Sequence, residues 1–149
     1  MTTLDVPFTA SHSHAHRSTP AKASVWVGRI LSGISLLFLS WDAIIKLMRH
    51  PMAIAASAEL GYSERAVVTI GAIAACCVVL YAIPRTAVLG AILWTGYLGG
   101  AIATHLRVGN PLFSHTLFPI YVAVLLWGGL ALRDPRVLML LGPIERSRR

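Results

Sequence analysis

Residues 66–106 read AVVTIGAIAACCVVLYAIPRTAVLGAILWTGYLGGAIATHL, and in the whole stretch Arg85 alone carries a full charge. The stretch divides at Pro84-Arg85 into two apolar runs, Ala66–Ile83 and Thr86–Leu106. A helix that crosses a bilayer core needs about 20 predominantly apolar residues at 1.5 Å rise per residue, and both runs approach that length. They are apolar all round instead of striped, a pattern that suits lipid better than the interior of a soluble bundle. Proline followed by arginine forces a tight reversal, so the two helices are predicted to be antiparallel neighbours.

Two more runs flank this pair, Val25–Met48 before it and Thr116–Leu132 after it. The second and fourth runs are the shortest, and their ends are expected to extend into the flanking residues. Composition agrees: 56% of the 149 residues are hydrophobic and only 13% are charged, against about a quarter charged in soluble domains. The net charge of +7 in so apolar a chain points to loops beside an anionic leaflet and not to nucleic acid. The predicted fold is an all-α bundle of four transmembrane helices whose solvent is the lipid bilayer. Residues 24–133 form the membrane domain, residues 1–23 a polar, histidine-containing tail, and residues 134–149 a basic tail.

The N-terminal tail contains His12, His14 and His16 with no carboxylate or cysteine at a fixed spacing, and it reads as a disordered, solvated segment. The first apolar run starts too late and is too long for a signal peptide. Between the first and second runs, Arg49–Arg65 includes His50-Pro51 and Gly61-Tyr62-Ser63-Glu64. A short interfacial helix is expected there, with Ser63 as N-cap of the second span. The connection Arg107–His115 is expected to be a short polar loop with Gly-Asn-Pro turn chemistry, and Pro119 should fall in the first turn of the last helix. Nine Lys and Arg lie on the side of the termini and the Pro84-Arg85 turn, against four on the other side, which predicts that both termini are cytoplasmic. Arg29, within the first span, should snorkel to the headgroups.

Cys76 and Cys77 are adjacent in an apolar run and point about 100° apart on a helix, so they read as small apolar fillers, neither a disulfide nor a CxxC motif. Gly96, Gly100 and Thr104, at steps of four, predict a smooth face for close helix approach, as do Gly71 and Ala75. Packing inside the bundle is the favoured use of these faces, and a homodimer seam stays open. Trp94 and Tyr97 lie mid-span and are expected to line the interior, where the indole N–H needs a partner.

The polar residues that could carry chemistry gather at one end. Asp42 and Lys46 are four apart near the end of the first helix, so they share a face and can neutralise each other. Asp42 lies about 25 Å along that helix from Val25, near the non-cytoplasmic boundary. His105 and Arg107 close the third span, and Asn110 and His115 follow in the loop at the same end. Together these six are the candidate ligand or proton site. Such a cluster above an aromatic, glycine-lined bundle could bind a polar head whose apolar body lies between helices, and a quinone headgroup fits. His105 or His115 could donate to a quinone carbonyl and relay a proton, with Asp42 orienting it. The competing reading is a structural ion pair and hydrogen-bonded histidines. The histidines sit at or beyond helix ends, which disfavours bis-histidine haem or a metal centre. No nucleotide-binding or hydrolytic motif occurs.

The strings Gly28-Arg29-Ile30-Leu31-Ser32-Gly33, Trp41-Asp42 through Lys46-Leu47, Tyr81-Ala82-Ile83-Pro84-Arg85-Thr86, Gly96-Tyr97-Leu98-Gly99-Gly100-Ala101 with Thr104-His105, and Asn110-Pro111-Leu112-Phe113 before Phe118-Pro119 resemble the DoxX-like family of small bacterial membrane proteins. The likeness runs from about Gly28 to Pro135. It implies a four-helix, multi-pass protein of the bacterial cytoplasmic membrane. Members of the broader group are similar to the small subunit of thiosulfate:quinone oxidoreductase, and others are associated with membrane oxidoreductase complexes. The resemblance therefore implies an accessory subunit working with a redox partner protein more than a stand-alone enzyme. A non-enzymatic scaffold or assembly factor is the alternative, with a small proton-coupled transporter behind it. The family has no agreed catalytic motif, so Asp42, Lys46, His105, Arg107 and His115 match as pattern residues only.

Overall fold

A computed structural model describes residues 22–137. The histidine-containing tail and most of the basic C-terminal segment lie outside the described residues. Five α-helices follow in order: α1 (Lys22–Leu47), α2 (Pro51–Glu59), α3 (Glu64–Ala82), α4 (Ala87–Arg107) and α5 (Phe118–Arg133), with a π-helical turn, Leu112–Thr116, just before α5. Among the described residues there is no strand. Four segments are long and apolar enough to cross a membrane: α1, α3, α4, and the π turn joined to α5 as Leu112–Arg133. Large apolar side chains such as Leu37, Ile92 and Val124 are more than half exposed along them, which is unfavourable in water and expected in lipid.

The helix ends follow from local chemistry. Arg49 adopts φ 52° and His50 N–H donates to Ile45 O at 2.9 Å, a left-handed stop that ends α1. Pro51 then occupies the first turn of α2, where its missing N–H costs nothing, and His50 Nδ1 accepts from Met52 N. Ser63 caps α3 by accepting from Ala66 N at 3.4 Å, as expected. At the α3–α4 reversal, Thr86 Oγ1 donates to Leu80 O at 2.8 Å. The expected Arg107–His115 loop is shorter than predicted, because Leu112–Thr116 already winds as a π turn. Pro119 in the first turn of α5 has no N–H for His115 O, and the preceding turn widens to i→i−5 bonds such as Leu117 N to Leu112 O at 2.8 Å.

Helix α1 packs on α3 and α5, and α4 packs on the same two helices, so α1 and α4 face each other across the bundle. Two close approaches hold the bundle: a Cβ placed on Gly90 of α4 would collide with Tyr81 N of α3, and one on Gly28 of α1 would stand 2.9 Å from Gly129 O of α5. Tyr81 and Trp94 are fully buried in the core with Leu126 and Leu130. Tyr81 ties three spans together, its hydroxyl donating to Leu126 O at 2.7 Å and accepting from Ser32 Oγ at 3.1 Å. Trp94 lies inside as expected, yet its Nε1 has no hydrogen-bond partner. Its ring instead meets Tyr97 edge to face at 5.0 Å. The packed unit continues beyond Arg133, since Val137 is also fully buried.

The glycine reading needs correction. Gly71 does lie against the Lys46–Leu47 backbone of α1, but a Cβ on Gly96, Gly99 or Gly100 would meet nothing within 4 Å. Among the described residues no helix packs against those glycines of α4. Gly96 and Gly100 instead border open space.

Candidate functional site

The open space is a cavity of about 440 Å³ at the end of the bundle away from Lys22 and Arg133. All four spans contribute to its wall, and Ser57, Leu60 and Tyr62, from α2 and the turn after it, line it as well. Most of the wall is hydrocarbon and ring surface, including Phe38, Ile73, Leu98 and Val122. Against that background a few polar groups stand out.

Asp42 and Lys46 come from α1, one turn apart, and the Lys46 ammonium binds both oxygens of the Asp42 carboxylate. The cavity therefore contains a neutral pair and no net charge from these two. Lys46 reaches this position because Gly71 of α3 leaves room beside it: a Cβ there would stand 2.8 Å from Lys46 Cβ. From α4, Thr104 is buried and donates to Gly100 O at 2.9 Å, so the Tyr62 hydroxyl, 2.8 Å away, donates to Thr104 Oγ1. His105 lines the cavity, and its Nδ1 accepts from Asn110 Nδ2 at 2.8 Å. A neutral imidazole held this way carries its proton on Nε2. Tyr97 also lines the wall, and its hydroxyl makes no hydrogen bond among the described residues.

The six residues expected to converge do so only in part. Asp42, Lys46 and His105 line the cavity, and Asn110 orients His105 from behind. His115 is exposed and outside the cavity wall, its ring edge to face with that of His105 at 6.0 Å and its Nδ1 2.8 Å from Ser114 Oγ. Arg107 points elsewhere: it donates to Leu60 O at 2.6 Å and so staples the C-terminal end of α2 to α4. Sequence reasoning missed Tyr62 and Ser57 as wall residues. The Gly61-Tyr62-Ser63 turn carried the usable signal, an aromatic hydroxyl in a loop at the loaded end. Among the described residues no three His, Cys, Asp or Glu side chains gather at metal-ligand spacing.

The arrangement offers donors more than acceptors. Asp42 spends both oxygens on Lys46, whereas Lys46 retains an N–H, His105 presents Nε2–H, and Tyr97 presents a free hydroxyl. Such a cavity can donate hydrogen bonds to the oxygens of a bound neutral molecule.

Four apolar spans around a partly polar cavity define a multi-pass integral membrane protein. The chain belongs to the DoxX-like family, whose model matches residues 30–129. No curated protein and no solved structure matches it.

Proposed function

We propose that the protein is an accessory subunit of a quinone-linked membrane redox system and that its cavity receives a quinone headgroup. The observation that carries this reading is the set of uncommitted donors, His105 Nε2–H and the Tyr97 hydroxyl, in a mostly apolar chamber where the charges of Asp42 and Lys46 cancel. Quinone carbonyls accept such hydrogen bonds, and a neutral ring avoids the desolvation cost that an ionic ligand would meet. His105 would also be the group to exchange a proton with the bound ring. Exposed His115, with ring centroid 6.0 Å away, offers the next station toward water. The redox centre itself would belong to a partner protein.

The same reading includes an orientation. Counted over the sequence, nine Lys and Arg belong to the side of the termini and the Pro84-Arg85 turn, against Lys46, Arg49, Arg65 and Arg107 on the cavity side. By the positive-inside rule the termini would be cytoplasmic and the cavity would face the outer side of a bacterial cytoplasmic membrane.

One observation favours a second reading, a scaffold or assembly factor without a small ligand: Asp42 and Lys46 are saturated by each other, as a structural pair would be. Thermal-shift titration of the detergent-purified protein with ubiquinone and menaquinone analogues separates the two, because a ligand bound only by the folded state raises its stability. A saturable rise that is lost in His105→Ala supports the quinone site. A flat response from folded wild type moves the assignment to the scaffold.

A further inference from the structure

A second, shallower groove of about 320 Å³ lies on the lipid-facing side between α4 and α5, and it shares two wall residues with the cavity, Leu98 and Pro119. The rest of its lining is nearly all hydrocarbon, including Ile102, Ile120 and Val124 beside the bare backbone of Gly99. Its polar side chains are satisfied among themselves. Trp127 Nε1 donates to Thr95 Oγ1 at 2.9 Å, and Thr95 Oγ1 donates to Ala91 O at 2.9 Å. No side-chain donor is left to face a hydrocarbon occupant, so apolar material can fill the groove without burying an unpaired polar group. The wall that separates cavity from groove is equally undemanding, since Leu98 is apolar and Pro119 has no N–H, so a chain lying over it meets no unpaired donor.

We infer that this groove holds the hydrocarbon chain of the amphiphile whose head occupies the cavity, so that the ligand class is a quinone with an alkyl or isoprenoid tail. The inference rests on the headgroup reading above and adds the path of the chain. The gap between α1 and α5 is a poorer exit, because Phe38 and Phe118 close it with their rings edge to face at 5.6 Å. The α4–α5 side is open at Gly99, where a Cβ would meet nothing within 4 Å. Polar groups and hydrocarbon are thus segregated on the two sides of one shared wall: donors in the cavity, then Leu98 and Pro119, then an apolar groove open to the bilayer.

The test uses three probes on the full-length protein in detergent: a decyl-chain ubiquinone analogue with a diazirine in the chain, the same benzoquinone head without a chain, and a decyl alcohol with the same diazirine. Gly99→Leu fills the groove and Gly100→Leu fills the cavity, both where a new Cβ has open space. Retained helix content and elution volume establish that each variant folds, and Gly99→Ala serves as the milder substitution. The expected result is photolabelling of the Leu98–Ile102 and Pro119–Val124 segments by the chain-bearing quinone, competed by its unlabelled form. Gly99→Leu should weaken that probe about tenfold, the loss that displacing roughly two methylenes from apolar contact produces. It should leave the chainless head unchanged, whereas Gly100→Leu should weaken both.

Labelling at Phe38 or Phe118, or an equal response of both quinones to Gly99→Leu, overturns the chain path while the chainless head still binds. Binding of neither quinone to the wild type overturns the head site and the chain path together, and groove labelling by the decyl alcohol alone then identifies a plain lipid site. A dimer that Gly99→Leu converts to monomer, with no change in quinone binding, gives the groove to a second copy of the chain and also overturns the inference.

Discussion

Lys46 and Asp42 each make the other tolerable. Their side chains are 17% and 29% exposed, the ammonium spans both carboxylate oxygens, and the surrounding wall is largely hydrocarbon. Removing one charge leaves the other poorly solvated, while removing both leaves only a neutral patch. Lys46→Met is therefore expected to cost about 1–3 kcal/mol, less than a fully buried pair would because water still reaches both groups. The double variant Lys46→Met with Asp42→Asn should recover most of that loss. Unfolding of the four proteins in one detergent gives the coupling energy directly, and additive costs would show that the pair does not matter to stability. This pair was legible in the sequence because i,i+4 spacing on a helix is a local property. The Tyr62–Thr104 hydrogen bond was not, since its partners are 42 residues apart and nothing local to either one specifies the other.

Glycine spacing has opposite meanings on different helices. On α1 and α5, Gly28 and Gly129 let two backbones meet, and a Cβ on Gly129 would lie 2.8 Å from Ser32 N. On α4, Gly96 and Gly100 meet no neighbour and instead keep the cavity wide. Gly71 and Ala75 share the step of four with Gly96 and Gly100, yet Gly71 meets α1, so spacing alone could not tell contact from open space. The consequence is a contrast between identical substitutions. Gly129→Ala is expected to destabilise the bundle by about 1–3 kcal/mol through overpacking against backbone that cannot yield. Gly100→Ala should be neutral or stabilise by up to about 1 kcal/mol, because alanine loses less freedom on helix formation and has room for its methyl group. Midpoints of denaturation in a common detergent decide it, and a destabilised Gly100→Ala would mean that this face is already filled by something outside the described residues. The π turn teaches a similar lesson at the start of α5. Pro119 was legible as a first-turn residue, but the wider turn before it, with Leu117 N bonded to Leu112 O, was not.

For the whole molecule, hydropathy gave the number, order and approximate bounds of the spans, because burial in lipid depends on length and apolarity. It could not give the arrangement in which α1 and α4 each pack on α3 and α5. Helices apolar all round carry no stripe to mark the inward face, and the choice rests on close approaches such as Gly28 with Gly129 and Gly90 with Tyr81. The proposed orientation rests on the Lys and Arg count, and it is open to direct test. With Cys76 and Cys77 replaced by alanine, single cysteines at the exposed positions Ala23 and Glu59 report opposite ends of the bundle. If the basic end faces the cytoplasm, a membrane-impermeant maleimide should label Glu59→Cys in intact bacterial cells and Ala23→Cys only after permeabilisation. The reversed pattern would place the cavity on the cytoplasmic side, so that His105 would exchange protons with the cytoplasm. Labelling of both from the same side would contradict the four-span bundle itself, since α1 separates the two positions by the thickness of the membrane.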